Sequence, residues 1–208
     1  MFDEKYQGSL VTVFYSIGSN PLINWAIQCK ESEYRFLQDD VMKSSVLQIQ
    51  SQNVNACSIS TPSKPTDSLG IRLPFFTMLM KNLGRYFTSE ITVLDDQNIR
   101  RRFRISNYSK SIRVSIHMCS MPVCLTEGWT QIQLNLADFT SQMYNTGFVE
   151  AVRVQVHANC RLRRIYFSEK LYTNDELPNE YRLYKVKVPR VIPVSTVLKK
   201  KAIAGKKT

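Results

Sequence analysis

The sequence predicts an all-β domain, a β-sandwich or jelly roll, and three observations carry that prediction. Apolar and polar residues alternate with a period of two in stretch after stretch, as half-buried strands require. The stretches are short and are separated by Gly, Pro, Asn and Asp, the residues that build turns. Helical periodicity is scarce, so the apolar face of each strand must be covered by other strands. A chain of 208 residues, 43% hydrophobic, with ten Tyr and ten Phe, has the material for such a core.

Taken in order, "LVTVFYSIG" (10–18) puts Val11, Val13 and Tyr15 on one face. "VLQIQ" (46–50) sets Leu47 and Ile49 against Gln48 and Gln50, and "LGIRLPF" (69–75) sets Leu69, Ile71 and Leu73 against Gly70 and Arg72. "FFTMLMKNLGRYF" (75–87) is too densely apolar for either period and is read as strand. "EITVLD" (90–95) and "IRRRFRIS" (99–106), joined by a short Asp/Gln/Asn turn, read as a β-hairpin. "IRVSIHM" (112–118), "WTQIQLNL" (129–136), "AVRVQVHA" (151–158) and "RLRRIYFS" (161–168) complete roughly eight to ten strands. Two short helices are expected, at 138–145 with Asp138 as N-cap and within 174–182.

The formal charge of +11 is unevenly placed. Residues 186–208 contain seven Lys or Arg and no acid, two prolines and no strand pattern. The chain therefore divides into a folded domain over 1–184 and a basic, extended arm over 185–208. Such asymmetry calls for an anionic partner but does not name one. The N-terminus bears two acids before its first apolar run, which argues against a secretory signal, and no stretch is long enough to span a bilayer. Five scattered cysteines without an export signal read as reduced thiols.

Enzymatic signals are poor. There is no glycine-rich phosphate loop, nucleophile elbow or HExxH. His117 and His157 both fall on the polar parity of strands, where a solvated or hydrogen-bonded ring is the expected state. His117, Cys119 and Cys124 lack the doubled spacing of structural zinc. Asp95 and Asp96 are adjacent, so they splay apart and read as turn formers. No catalytic residue, cofactor or metal is expected. The arginine clusters stand out instead. On 99–106, Ile99, Arg101, Phe103 and Ile105 share one face, and Arg100, Arg102 and Arg104 share the other at a spacing of about 7 Å. With Phe103 and Ile105 inward, those three arginines form an outward row. Arg101 has inward parity and is placed near the turn, where the sandwich edge is wet. Arg161 and Arg163, with Arg164, form a second cluster after "HANC", whose irregularity leaves their faces unassigned. Lys199, Lys200 and Lys201 are the densest cations of the arm.

The runs "YSIGSNPL" (15–22), "LGIRLPF" (69–75), "VLDDQNIRRRFRISNY" (93–108), "GWTQIQLNLADFT" (128–140) and "VRVQVHANCRLRRIYFS" (152–168), with "DELP" at 175–178, resemble the cilia- and flagella-associated protein 20 family. The resemblance covers 1–184, is poor over 28–45, and stops at the arm. It implies a jelly roll shaped like a carbohydrate-binding module, without enzymatic activity. It further implies a structural role at the inner junction of doublet microtubules, where the B-tubule closes on the A-tubule and motility is supported. The implied location is the axoneme and basal body. The implied partners are α/β-tubulin and the Parkin co-regulated protein, repeated along the lattice. Acidic tubulin surfaces complement Arg100, Arg102 and Arg104, with Arg161, Arg163 and the arm lysines as further contacts.

Two other readings follow from the residues alone. A nucleic-acid-binding module, with a nuclear pool, would interleave aromatics among the arginines, which Phe103 by its inward parity does not do. A glycan-binding sandwich would expose Trp25 or Trp129 in a groove, whereas packing inside the core is the ordinary state of both rings.

Overall fold

The computed structural model describes residues 7–173 and 175–182. Lys199, Lys200 and Lys201, and the arm as a whole, lie outside them. The expected all-β sandwich is present: two antiparallel-dominated sheets face each other across one apolar core.

The first sheet runs β11 (Trp129–Asn135), β6 (Phe75–Asn82), β13 (Cys160–Ser168), β4 (Ser44–Ile49) and β3 (Tyr34–Asp39), with β1 (Leu10–Tyr15) also paired to β13. The second runs β2 (Ala26–Gln28), β5 (Ser58–Thr61), β12 (Phe148–His157), β7 (Thr88–Asp95), β8 (Arg100–Ser106), β10 (Met118–Pro122) and β9 (Arg113–Val114). Only β10 runs parallel to its neighbour β8. Between the sheets lie Leu47, Ile49, Phe76, Met78, Phe103, Ile105, Val154, Val156, Leu162 and Phe167. Most of these sit at the positions that alternation assigned inward.

β12 and β13 lie in different sheets, so the chain crosses the sandwich at Ala158 and Asn159. Asn159 pins that corner. Its side chain accepts from Ser51 N–H at 3.0 Å and donates to the Tyr86 carbonyl at 2.9 Å. The irregularity of "HANC" is this crossing.

Several expectations need correction. The 69–75 stretch buries Leu69 and Ile71 but forms only an isolated bridge, Ile71 to Ala151. The 112–118 stretch is broken: Val114 and Ile116 are 48% and 68% exposed, because the chain bends there to bring β10 back alongside β8. On β1 the fully buried side chain is Phe14, set inward by a register shift between Thr12 and Phe14. The helix α1 (Leu136–Tyr144) begins two residues before Asp138. Its cap is Asn135, whose side-chain oxygen accepts from Asp138 N–H at 3.2 Å. Asp138 sits in the first turn, where a carboxylate suits the helix dipole. In 174–182 the helical part is a single 3-10 turn, Asn179–Tyr181.

The cysteines are not all reduced. Cys29 and Cys57 form a disulfide. β2 lies beside β5 with Gln28 opposite Ser58, so the next residues outward meet. Linking positions 28 apart in sequence stabilises the fold by about 3 kcal/mol, by restricting the unfolded chain. Reduction by excess dithiothreitol is expected to lower the unfolding free energy in urea by about that amount. In native thiol titration Cys124, which is exposed, should react first. Burial pushes the Cys119 thiol up to about 11 and the Cys160 thiol further up, and both should react only on unfolding. Rapid reaction of either buried thiol in the folded protein would contradict this packing.

Candidate partner-binding face

The hairpin β7–β8 is built by the turn at 96–99. Asn98 occupies the left-handed region at φ 59°, which asparagine tolerates. Asp95 caps this turn from within: its Oδ1 accepts the N–H groups of Gln97 at 3.1 Å and Ile99 at 2.7 Å. The register places Arg100 opposite Leu94, Arg102 opposite Thr92 and Arg104 opposite Glu90. Arg100 and Arg102 are exposed and Arg104 half-buried.

The row is partly neutralised from within. Glu90, only 5% exposed, lies 2.6 Å from Arg104 and 3.3 Å from Arg102. Three like charges in a row repel one another, and this internal carboxylate supplies part of the counter-charge they need. His157 packs behind it with Nε2 3.9 Å from Glu90 Oε1. His157, on the polar parity of its strand and expected as a solvated or hydrogen-bonded ring, is buried. Burial lowers its pKa, partly offset by Glu90, so the ring favours the neutral form. His117 is exposed, as its parity implied.

Arg101 is the largest departure from sequence reading. It is buried rather than wet at the sandwich edge. Its Nε donates to Asp95 Oδ2 at 2.7 Å, and its Nη1 donates to the Ile116 carbonyl. Its guanidinium carbon lies 4.4 Å from the centre of the Tyr144 ring. Thr146 donates to the same Asp95 oxygen at 3.1 Å. Burial alone would raise the Asp95 pKa. The donors from Ile99, Arg101 and Thr146 outweigh it and hold the carboxyl below its ordinary value. Asp95 is therefore a buried anchor as well as a turn former.

The second arginine cluster lies on β13, in the other sheet, so the structure does not bring it together with the first. Arg161 donates to Asp39 Oδ2 at 2.8 Å and to Gln48 Oε1 at 2.9 Å. Asp39 also accepts from the Trp129 indole N–H at 3.0 Å. Arg163, at a register shift between Leu162 and Arg164, donates to Ser16 Oγ at 3.0 Å and stacks 5.0 Å from the Tyr15 ring. Arg164 is buried between Tyr15 and Tyr181, at 3.7 and 4.1 Å from their ring centres. Arg161 and Arg163 are thus tied into the fold, unlike Arg100.

Trp25 and Trp129 are both buried, each with its indole N–H bonded internally, Trp25 to the Val13 carbonyl. Neither ring offers a sugar-stacking platform. Among the described residues His117, Cys119 and Cys124 form no three-ligand cluster.

A family profile described as the CFA20 domain matches residues 1–185. Cilia- and flagella-associated protein 20 of Paramecium tetraurelia is 50% identical over 184 residues, 88% of this chain and 96% of that protein. The protein of the same name from Chlamydomonas reinhardtii is 50% identical over 184 residues, covering 88% and 97%. That from Caenorhabditis elegans is 48% identical, covering 88% and 91%. Among solved structures, a family 29 carbohydrate-binding module from Piromyces equi overlays with a TM-score of 0.39 at 11% identity, over 77% of this chain and 90% of that one. An overlay that loose carries no argument about ligands. The match across 1–185 and the half-identity to full-length relatives settle the kinship: the chain belongs to the CFA20 domain family.

Proposed function

We propose that this protein is a non-catalytic structural component of the cilium or flagellum, built into the axoneme. The observation that carries the reading is half-identity over 184 residues to proteins named for cilia and flagella in organisms as distant as Paramecium and Chlamydomonas. At finer grain, the protein sits at the inner junction that closes the B-tubule onto the A-tubule and supports motility. There and at the basal body it touches α/β-tubulin and the Parkin co-regulated protein in a repeating array. The outward face of the second sheet, with Arg100, Arg102 and Arg104, meets the acidic surface of that lattice. Repetition along the lattice multiplies contacts that are individually weak. Arg161 and Arg163 lie on the other sheet and contribute mainly to the fold. The arm with Lys199, Lys200 and Lys201 adds further charge for the same partner.

Cross-linking of isolated axonemes tests the location and the partner together. Lys110, exposed just after β8, is expected to join to α- or β-tubulin. Recovery of the protein wholly in the soluble matrix, with no tubulin cross-link, would overturn the reading.

A further inference from the structure

The basic face does not end at β8. Arg153 of β12 lies opposite Thr92 of β7, and Thr92 lies opposite Arg102 of β8, so two arginines flank one threonine across three strands. At the usual strand spacing their backbones are about 10 Å apart. Arg100 lies one pleat repeat before Arg102 along β8. These three arginines, with Pro65, Thr92 and His117, line a cleft of about 390 Å³ to which, among the described residues, no carboxylate and no aromatic ring besides the His117 imidazole contributes.

The charges in this cleft are poorly compensated. Glu90 serves Arg102 and Arg104. Arg153 donates to Ser60 Oγ at 3.2 Å and to the Lys64 carbonyl at 2.6 Å, both neutral acceptors. Among the described residues no carboxylate pairs with Arg100 or Arg153. Burial, and then the nearby charge of Arg100, both disfavour the charged form of Arg153, with Asp67 opposing. The fold thus holds like charges together in a concave site, an arrangement that an incoming anion relieves.

The rim narrows the class of anion. Ile116, 68% exposed, immediately precedes His117 at the wall of the cleft. Single-stranded nucleic acid wants rings on which to stack bases, and this cleft offers no Phe, Tyr or Trp. Forked guanidinium groups suit planar carboxylates, and a bare apolar edge suits an aliphatic side chain beside them.

We propose that this cleft is a docking site for an acidic peptide segment of a partner protein, with neighbouring carboxylates between Arg100, Arg102 and Arg153 and an aliphatic residue against Ile116. The inference rests on the reading above that the outward face of the second sheet meets a partner, and it adds Arg153 and the apolar rim to that face.

Fluorescence anisotropy of the full chain with a labelled Gly-Glu-Glu-Leu-Glu-Glu-Gly peptide is the test. Saturable binding is expected, weakened about tenfold by Arg153→Gln and by Arg100→Gln, the loss of one charge-assisted contact each. Arg100 is exposed and without an ion pair among the described residues, so its variant keeps the fold should Arg153→Gln disturb it. Arg35→Gln, on an exposed position of β3 in the other sheet, should leave affinity unchanged. Equal affinity of both cleft variants and the wild type, equal binding of the all-glutamine peptide, or tighter binding of oligouridylate than of the peptide would overturn the proposal. Peptide binding lost in the cleft variants while they still co-sediment with microtubules sustains the cleft and counts against tubulin as its partner. The reverse pattern overturns the cleft and leaves the axonemal reading standing.

Discussion

Asp95→Ala is expected to destabilise the protein by about 3–5 kcal/mol in urea unfolding, because it strands the buried Arg101 guanidinium without its counter-charge. With domain stabilities of about 5–15 kcal/mol, a loss of that size approaches global unfolding at physiological temperature. The same change removes the acceptor for the Gln97 and Ile99 amides and for the Thr146 hydroxyl, so three further donors lose partners. Combining it with Arg101→Met should recover part of the loss, since removing both members of a buried pair is far milder than removing one. A single-variant cost under about 1 kcal/mol would contradict the anchoring role. The pH dependence has a definite sign. The folded pKa of Asp95 lies below its ordinary value of 3.8, and that of Asp39, held by Met42 N–H, Arg161 and Trp129 against the effect of burial, lies at about 2. Depressed carboxylates contribute stability that is complete above their unfolded pKa and lost as pH falls through the folded one. Stability should therefore fall as pH drops below about 4 toward 2, and Asp95→Asn should flatten that decline.

Reversing Arg100, Arg102 and Arg104 to glutamate is expected to lower microtubule affinity by about a hundredfold at low salt, roughly 3 kcal/mol for three rim charges whose attraction becomes repulsion. Rising ionic strength should weaken the wild type steeply and the variant little, because exposed charges are screened within about 10 Å at 0.1 M salt. Reversal also has an internal cost. It places two glutamates beside the buried Glu90, which is 2.6 Å from Arg104 and 3.3 Å from Arg102 in the native hairpin. The variant should accordingly unfold at lower urea than the wild type, and a binding loss counts only for protein that still melts cooperatively.

The hairpin illustrates what was legible in the sequence. Period-two alternation placed Phe103 and Ile105 in the core and Arg100, Arg102 and Arg104 outside, because those assignments depend only on the pleat. The fate of Arg101 depended on Asp95 six residues earlier, on Thr146 after the helix, and on the carbonyl of Ile116, contacts across three separate segments. Parity cannot see such partners, so an inward arginine read as a wet edge. Arg161 was likewise beyond reach of spacing, since its acid, Asp39, lies 122 residues away in a stretch where no strand was expected. Of the strands absent from the sequence reading, β2 and β5 are too short to show alternation and β3 leaves most of its residues exposed or half-buried, while β10 alternates over only five residues that end in a proline. The Cys29–Cys57 link followed from β2 lying beside β5, a pairing that cysteine counting does not contain. Arg153 went unnoticed because it sits alone in its strand, and only the sheet order brings it to Arg102.

The most direct measurement is low-salt microtubule co-sedimentation of the full chain beside Arg100→Gln/Arg102→Gln/Arg104→Gln, which removes the charges without adding acids next to Glu90. The account predicts saturable binding by the wild type and about tenfold weaker binding by the variant, with both proteins folded by cooperative melting. Equal binding by the two folded proteins would contradict the claim that the outward arginines of the second sheet face the axonemal lattice.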